Sequence, residues 1–441
     1  MSTTRERATG DLYDQLVLED RVHRRIYTDQ DIFTEEMTKV FGACWVYVGH
    51  ASELSGANAF MTGTLGGRPI IITRDAGGDI HVLLNRCLHR GATVCRVERG
   101  RAKRFVCPYH GWSYANDGSL TGVPWPSGYA PEFDPAKYSL GRARVAVYRD
   151  FIFATLHPSP PAIEDHLGAA RPLLDYWIDR FPGGKVTARS GAHRMDCQSN
   201  WKLVMDNSTD GYHPAFSHRA LLQMAQRLGE TKDMAYFAES PDDGDMYCRY
   251  LGNGHSFIDQ RPNYRKPGDY WATQRPTPGR EAIEARIRAQ YGEEEATRLL
   301  DLTVGSQMNL SIFPNLLIIG NQIQSLRPVA VDRTILLWQA TTSEELPEEL
   351  NTLRMRTQED FPSFGEPDDL ANFGECQRGL SIPEVEWVLM NRGYGIEGRQ
   401  SLDPDGGVTA PTTDETPMRG YIHHWKALMQ SDTPVVAEGV A

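Results

Sequence analysis

Two short runs in the first third of the chain, CLH at 87–89 and CPYH at 107–110, leave few folds open. Each presents one thiol and one imidazole: one residue separates Cys87 from His89, two separate Cys107 from His110, and seventeen lie between the pairs. Two loops of this kind can close around a [2Fe-2S] cluster, with both cysteines on one iron and both histidines on the other. Histidine in place of cysteine lowers the negative charge on such a cluster and raises its potential, which defines a Rieske centre. A Cys2His2 zinc site is the competing arrangement, but it ordinarily pairs cysteine with cysteine and histidine with histidine, whereas the order here is mixed. Gly91 and Gly111 permit tight loops whose amides can face cluster sulfurs, and Trp112 and Tyr114 can screen the site from water. Cys95 fits neither pair and reads as a buried bystander thiol.

The segments around these runs, WVYVG, AFMTGTL, PIIITRD and IHVLLNR, are short and β-rich, punctuated by Gly, Pro and Asp turns. That texture predicts a small antiparallel β domain over 41–157. Residues 1–40 read as an N-terminal segment of short helices packing on a larger domain at 158–430, and 431–441 as a frayed tail. KVTARSGAHRMDCQ predicts a strand, REAIEARIRAQYGEEEATRLLD one helix, and MNLSIFPNLLII, NQIQSLRPVA and TILLWQATT three strands of a sheet under a site. Residues 251–280 lack a steady period and read as a long loop, either a lid or a surface insertion.

Composition narrows the function classes. The 441 residues carry a net charge of -12, which argues against nucleic acid as a partner. No apolar run approaches the roughly 20 residues a membrane span needs, and the polar start MSTTRERATGDLYDQ has no signal-peptide core, so a cytoplasmic protein is expected. Seven scattered cysteines, an odd number, suit metal ligation by the clustered ones rather than a disulfide framework.

Ninety residues after His110, Asn200 opens a second metal-like stretch, NWKLVMDNSTDGYHPAFSH. As a helix it would set Asn207, Asp210 and His213 near one face, since residues three and four apart are helix neighbours. His218, five residues beyond His213, would fall off that face. Pro214 is expected to break the helix at His213 and let His218 swing back toward the same point. Two imidazoles and a carboxylate suit iron(II), zinc or copper.

Together the two stretches resemble the large (α) subunit of the Rieske non-haem iron aromatic-ring-hydroxylating oxygenases. The likeness runs on through SIFPNLLI at 311–318, PDD at 367–369, EWVLMNRG at 386–393 and the closing RGYIHHWKALM. It implies an α+β chain: a small antiparallel-β Rieske domain and a larger catalytic domain whose antiparallel sheet is flanked by helices, a helix-grip or START-like fold. It implies that Cys87, His89, Cys107 and His110 hold the [2Fe-2S] cluster and that His213 and His218 hold a mononuclear Fe(2+). The third iron ligand corresponds to Asp369, with Asp368 as its rival. Asp210 corresponds to the aspartate that bridges a cluster histidine and an iron histidine. In that family the two histidines belong to different subunits, which implies a ring of three α chains, either α3 or α3β3 with a small β subunit.

The implied activity is that of a terminal oxygenase. Electrons from NAD(P)H arrive through a reductase, a ferredoxin or both, and dioxygen is added to an aromatic ring, as a cis-diol in the dioxygenases. Oxidative demethylation or monohydroxylation of an aromatic compound is the alternative within the family, and a plain Rieske electron carrier the alternative outside it. The substrate pocket is expected to draw on Asn200, Val204, Met205, Asn207, Leu310, Leu316 and Phe364. Arg378 resembles the QRG arginine of aromatic-carboxylate members such as the terephthalate dioxygenases; it is either a carboxylate clamp or a surface ion pair. Between the cluster loops, RVERGRAKR sets Arg96, Arg99, Arg101, Lys103 and Arg104 against Glu98 alone. It either steers an acidic electron carrier or serves solubility.

Overall fold

A computed structural model of the chain describes residues 12–227, 246–272, 278–432 and 435, and of 221, 222, 225, 226, 360 and 364 the backbone alone. The chain divides into two compact units. Among the described residues, one joins those up to Phe33 to Leu167–Gln430; the other is Thr34–His166 with Ser431, Asp432 and Val435. The expected frayed tail lies largely outside the described residues.

The smaller unit is built on a seven-stranded antiparallel sheet in the order Val46–His50, Phe151–Thr155, Arg142–Tyr148, Ile80–Leu84, Arg68–Arg74, Ala59–Leu65, Arg99–Arg101. A second sheet of three strands, Arg104–Val106, Ser113–Ala115 and Leu120–Gly122, carries the second cysteine loop. Phe60, Ile71, Leu83, Phe105, Tyr114 and Leu140 form one apolar core with Cys87 and Cys107, so both loops are rooted in it. The unit extends past the expected limit at 157, because the Trp45 indole donates to the Pro161 carbonyl at 2.9 Å and ties the proline-rich segment back onto the β unit. Arg68 does the same for the helix Gln30–Lys39 by donating to the Met37 carbonyl.

The larger unit holds a nine-stranded antiparallel sheet in the order Ala192–Cys197, Arg333–Ala340, Gln322–Ala330, Leu316–Ile319, Met308–Ile312, His255–Asp259, Tyr247–Gly252, Val408–Pro411, Ser401–Leu402. The helix Thr416–Gln430 packs on it through Met418, Tyr421, Ile422, Trp425 and Met429, a spacing that puts all five on one stripe. The short strand Arg21–His23 pairs with Trp387–Leu389, which attaches the N-terminal segment to this unit. Among the described residues no helix is long and apolar enough to cross a membrane.

Three expectations are corrected. The run MNLSIFPNLLII is two strands, separated at Phe313–Asn315, so the expected three strands are four. The single helix after Arg280 is two, Arg280–Tyr291 and Glu293–Asp301, with Gly292 at the turn. The start of the expected long loop is instead a hairpin, Tyr247–Gly252 against His255–Asp259, whose second strand is buried along its whole length; residues 273–277 lie outside the described ones.

Candidate active site

The two cysteine loops share one construction. The Gly91 amide donates to the Cys87 carbonyl at 2.9 Å and the Gly111 amide to the Cys107 carbonyl at 3.0 Å, while each cysteine amide donates to the residue after its glycine, Ala92 or Trp112. Both glycines have positive φ, 76° and 73°, which a side chain would strain. The closed loops leave Cys87 and Cys107 buried and bring the His89 and His110 rings to 4.5 Å. Trp112 stacks on His89 at 5.1 Å, and the Tyr114 hydroxyl lies 3.2 Å from the Cys87 sulfur.

Burial pushes the Cys87 thiol up, and the neighbouring Cys107 pushes it further, against the Tyr114 hydroxyl and a backbone amide, which lower it. A bound cation would favour loss of the Cys87 proton against that burial. The buried His89 Nδ1 has no hydrogen-bond partner. Those observations fit a metal cluster at these four residues. Asn85, unremarked in the sequence, braces the loop: its oxygen accepts from the Val94 and Cys95 amides and its nitrogen donates to the Cys95 carbonyl.

In the larger unit the helix Trp201–Ser208 begins at an Asn200 cap whose side chain accepts from the Lys202 amide. It ends at Thr209, and the break comes earlier than Pro214. His213 itself is helical (φ -66°, ψ -32°), and Pro214 opens the next short helix, Pro214–Ser217. Asp210 makes the break: its Oδ1 accepts from the amides of Tyr212 (2.6 Å) and His213 (3.3 Å), a side-chain turn that competes with the helix. Gly211 allows the chain through, since a Cβ there would lie 1.9 Å from Thr412.

This bend brings His213 and His218 together with Asp369, their ligand atoms all within 4.8 Å of one another. The two Nε2 atoms face Asp369, at 3.8 Å from its Oδ1 and 3.4 Å from its Oδ2. The Nδ1 atoms face other carboxylates: Asp210 Oδ2 lies 3.4 Å from that of His213, outside hydrogen-bond alignment, and Asp368 Oδ2 lies 3.5 Å from that of His218. Asp369 therefore faces the gap between the imidazoles, and Asp368 stands behind one of them. Burial pushes the His218 imidazole down, but Asp369 and Asp368 outweigh it and leave the ring raised. Such a donor set, two imidazoles and a nearly enclosed carboxylate, could hold a divalent metal.

A cavity of about 220 Å³ opens beside the triad, lined on its apolar side by Val204, Ile258, Ile319, Phe361 and Phe373. Val204 and Asn207 face it as expected, and Asn207 donates to Asp369 Oδ1 at 3.3 Å. Asn200, Met205, Leu310 and Leu316 do not: Asn200 caps the helix, Met205 is wholly buried away from the cavity, and Leu310 neighbours the lining Asn309 on a strand whose side chains alternate. The Phe364 side chain lies outside the described residues. Of the two readings of Arg378, the surface ion pair is the one observed. Arg378 stands 78% exposed and pairs with Glu375, because nine residues beyond Asp369 on one helix is two and a half turns, the opposite face.

Asp206, in the helix that leads to Asp210, was not singled out by sequence. It is partly buried, accepts from the Tyr421 and Tyr27 hydroxyls, and is pushed up to about 7, mainly by burial. The folded state thus keeps a proton that the unfolded chain loses near pH 4, and stability falls as pH rises from about 4 to 7, by a few kcal/mol at most. Asp206→Asn should flatten that slope in urea unfolding at pH 5 and 7.5; equal slopes in both proteins would refute it.

The comparisons with known proteins bear on the same two regions. Residues 44–148 match the Rieske [2Fe-2S] domain, and residues 186–431 match the catalytic domain of the ring-hydroxylating alpha subunit. The chain belongs to the ring-hydroxylating alpha-subunit family. It is 31% identical to the anthranilate 1,2-dioxygenase large subunit of Acinetobacter baylyi over 85% of this chain and 80% of that one. It is 32% identical to the toluate 1,2-dioxygenase alpha subunit of Pseudomonas putida, over 90% and 87%. Among solved structures, naphthalene 1,2-dioxygenase from a Rhodococcus species superposes with a TM-score of 0.75 at 25% identity, covering 94% of this chain and 95% of that one. The alpha subunit is thus a Rieske-type ring-hydroxylating dioxygenase whose cofactors are a [2Fe-2S] cluster and a mononuclear non-haem iron. Both Cys-His loops lie within the residues matched to the Rieske domain, which favours a [2Fe-2S] cluster over zinc.

Proposed function

We propose that this alpha subunit is the terminal oxygenase that cis-dihydroxylates a single aromatic ring, with electrons drawn from NAD(P)H through a reductase, a ferredoxin or both. The observation that carries the reading is the small, largely apolar cavity set against His213, His218 and Asp369. A cavity of roughly 150 Å³ already admits benzene, so about 220 Å³ suits one substituted ring. The reaction joins both atoms of dioxygen to adjacent ring carbons, with two electrons and two protons completing the balance.

Cys87, His89, Cys107 and His110 would hold the cluster, and His213, His218 and Asp369 the iron. When bound, the cluster supplies single electrons and the iron a centre for dioxygen activation. The chain's own part is positional. Asp210 and Asp368 stand against the Nδ1 atoms and favour the tautomers that leave both Nε2 lone pairs free. Asn207 steadies Asp369, and the apolar wall keeps water from the ring. As in the family, Asp210 would also meet a cluster histidine of a neighbouring subunit, within an α3 or α3β3 ring; the relatives' names, large or alpha subunit, favour a smaller partner.

The test is to reduce the protein anaerobically, admit oxygen with a panel of single-ring and fused-ring arenes, and identify products. Oxygen uptake coupled to a cis-diol of a single ring is expected. A phenol or a demethylated product in its place would support the monohydroxylase or demethylase reading instead.

For the electron carrier, the exposed run Arg96–Arg104 leads through the strand Arg104–Val106 directly into Cys107. Arg99 lies 3.8 Å from Glu53 and Arg101 donates to the Ser55 carbonyl, which leaves Arg96 and Arg104 as the better probes. Reversing both to glutamate should slow reduction by an acidic ferredoxin several-fold at low salt. The difference should fade above about 0.15 M salt, where the Debye length is about 8 Å. Identical rates at every salt concentration would assign the run to solubility.

A further inference from the structure

Glu366 stands in the cavity wall without belonging to the metal triad. It opens the helix Glu366–Leu380, three residues before Asp369, so helical spacing turns both carboxyls to one side. It is 3% exposed and lies outside the set of ligand atoms that gather within 4.8 Å of one another. The sheet behind it offers two donors. Gln324 and Trp338 are directly paired across neighbouring strands, which puts their side chains on one face. Gln324 Nε2 donates to Glu366 Oε1 at 3.5 Å. The Trp338 indole N–H is buried with no partner inside hydrogen-bond distance, and it is the influence that most lowers the Glu366 carboxyl.

The chain reaches Glu366 through the π-turn Phe361–Gly365, which follows directly on the helix Glu348–Asp360. A π-turn changes the phase of every residue beyond it, so the direction of Asp369 depends on how that turn is secured. The Phe361 ring packs against Trp338 and against His218, with ring centres 5.6 Å apart in each case. Glu366, the first residue after the turn, ties the backbone to the same pair of strands through its carboxyl.

Charge links this tie to the metal. Among the described residues the charged groups that act on Glu366 are Asp369, on its own helix, and His218. The Cys197 thiol, on the strand Ala192–Cys197, also feels Glu366, but it is pushed up to about 11, mainly by burial, and stays neutral. Burial, then Asp369, push the Glu366 carboxyl up to about 8, so without metal it holds a proton at neutral pH. A divalent metal on the triad offsets the Asp369 charge and favours the carboxylate. The carboxylate in turn accepts more strongly from both donors than the acid does.

Resting on the reading of His213, His218 and Asp369 as metal ligands, we propose that Glu366 is a positioning residue for Asp369. Held by Gln324 and Trp338, it fixes the turn that aims the third ligand, and it tightens divalent metal binding as its own proton leaves. Because the linkage is reciprocal, whatever favours the Glu366 carboxylate also favours the metal.

The test uses the full chain with its cluster in place and its mononuclear site emptied, titrated anaerobically with Fe(II) in a calorimeter. Glu366→Ala should weaken Fe(II) at least about tenfold at pH 7, the scale on which outer partners of metal ligands act. Glu366→Gln, which keeps an oxygen for the two donors, should retain most of the affinity at that pH. Gln324→Leu removes one donor and gives a second route to the loss should Glu366→Ala fold poorly. A merely structural part would not alter the pH profile. Below about pH 8 the proton on Glu366 competes with the metal, so wild-type affinity should climb relative to Glu366→Gln as pH rises toward that value, then level off. Wild type should also release about one more proton per Fe(II) than Glu366→Gln at pH 7, read from the heats in two buffers. Unchanged affinity in both Glu366→Ala and Gln324→Leu, or parallel pH profiles in wild type and Glu366→Gln, would overturn the positioning role and leave the triad standing. Failure of the wild type itself to bind Fe(II) would overturn the triad, and the proposal with it.

Discussion

Replacing His213 by alanine is expected to leave a protein that keeps the visible spectrum of its cluster, loses its mononuclear iron and forms no product. His213 and His218 are half-buried and buried imidazoles whose Nε2 atoms share Asp369, and removing one leaves a single imidazole and one carboxylate. Disturbing even an outer partner of a metal ligand costs about 10- to 100-fold in affinity or activity. Removing a ligand itself should cost more. Iron should fall from about three to about two per chain, with about two acid-labile sulfides retained, as one binuclear and one mononuclear site require. Product formation should drop at least about 100-fold. The change is distant in sequence from the two cysteine loops, so the cluster spectrum serves as the internal control. Full iron content or surviving oxygenation would show that His213 is no ligand.

Asp210→Asn should give the opposite pattern, with both metals present and turnover lost. The amide keeps the Oδ1 that accepts from Tyr212 and His213, so the bend between the helices survives. What it lacks is the charge of the oxygen 3.4 Å from His213 Nδ1, and with it the preference for the tautomer that leaves Nε2 free. Dithionite should bleach the cluster band as in wild type. On admission of oxygen with substrate, the band should recover at least about 100-fold more slowly. Normal recovery and normal product would reduce Asp210 to a helix-breaking residue.

Much of this was legible in the chain because it is local. Cys87 and His89, or Cys107 and His110, sit within single loops closed four residues on by Gly91 and Gly111, so spacing alone nearly specifies the cluster site. Spacing likewise marked His213 and His218 as partners. It misjudged how they meet, since Pro214 is the conspicuous breaker in sequence, whereas the actual bend depends on the Asp210 side-chain turn and on room for Gly211 beside Thr412, about two hundred residues away.

Adjacent carboxylates could not be ranked from sequence. Asp368 and Asp369 are equivalent in composition, and only the phase of the helix Glu366–Leu380, which follows a wide π-turn at Phe361–Gly365 holding Pro362, turns Asp369 inward and Asp368 behind His218. The same phase carries Glu366 into the cavity and Arg378 out to solvent, which decides between the carboxylate clamp and the surface ion pair that sequence left open. Sequence by itself determined which residues can bind metal and that two metal sites exist, because ligand chemistry and short loop spacing are written in neighbouring residues. The tertiary structure decided which carboxylate faces the imidazoles and what lines the cavity, because those depend on helix phase and on strands paired across the sheet.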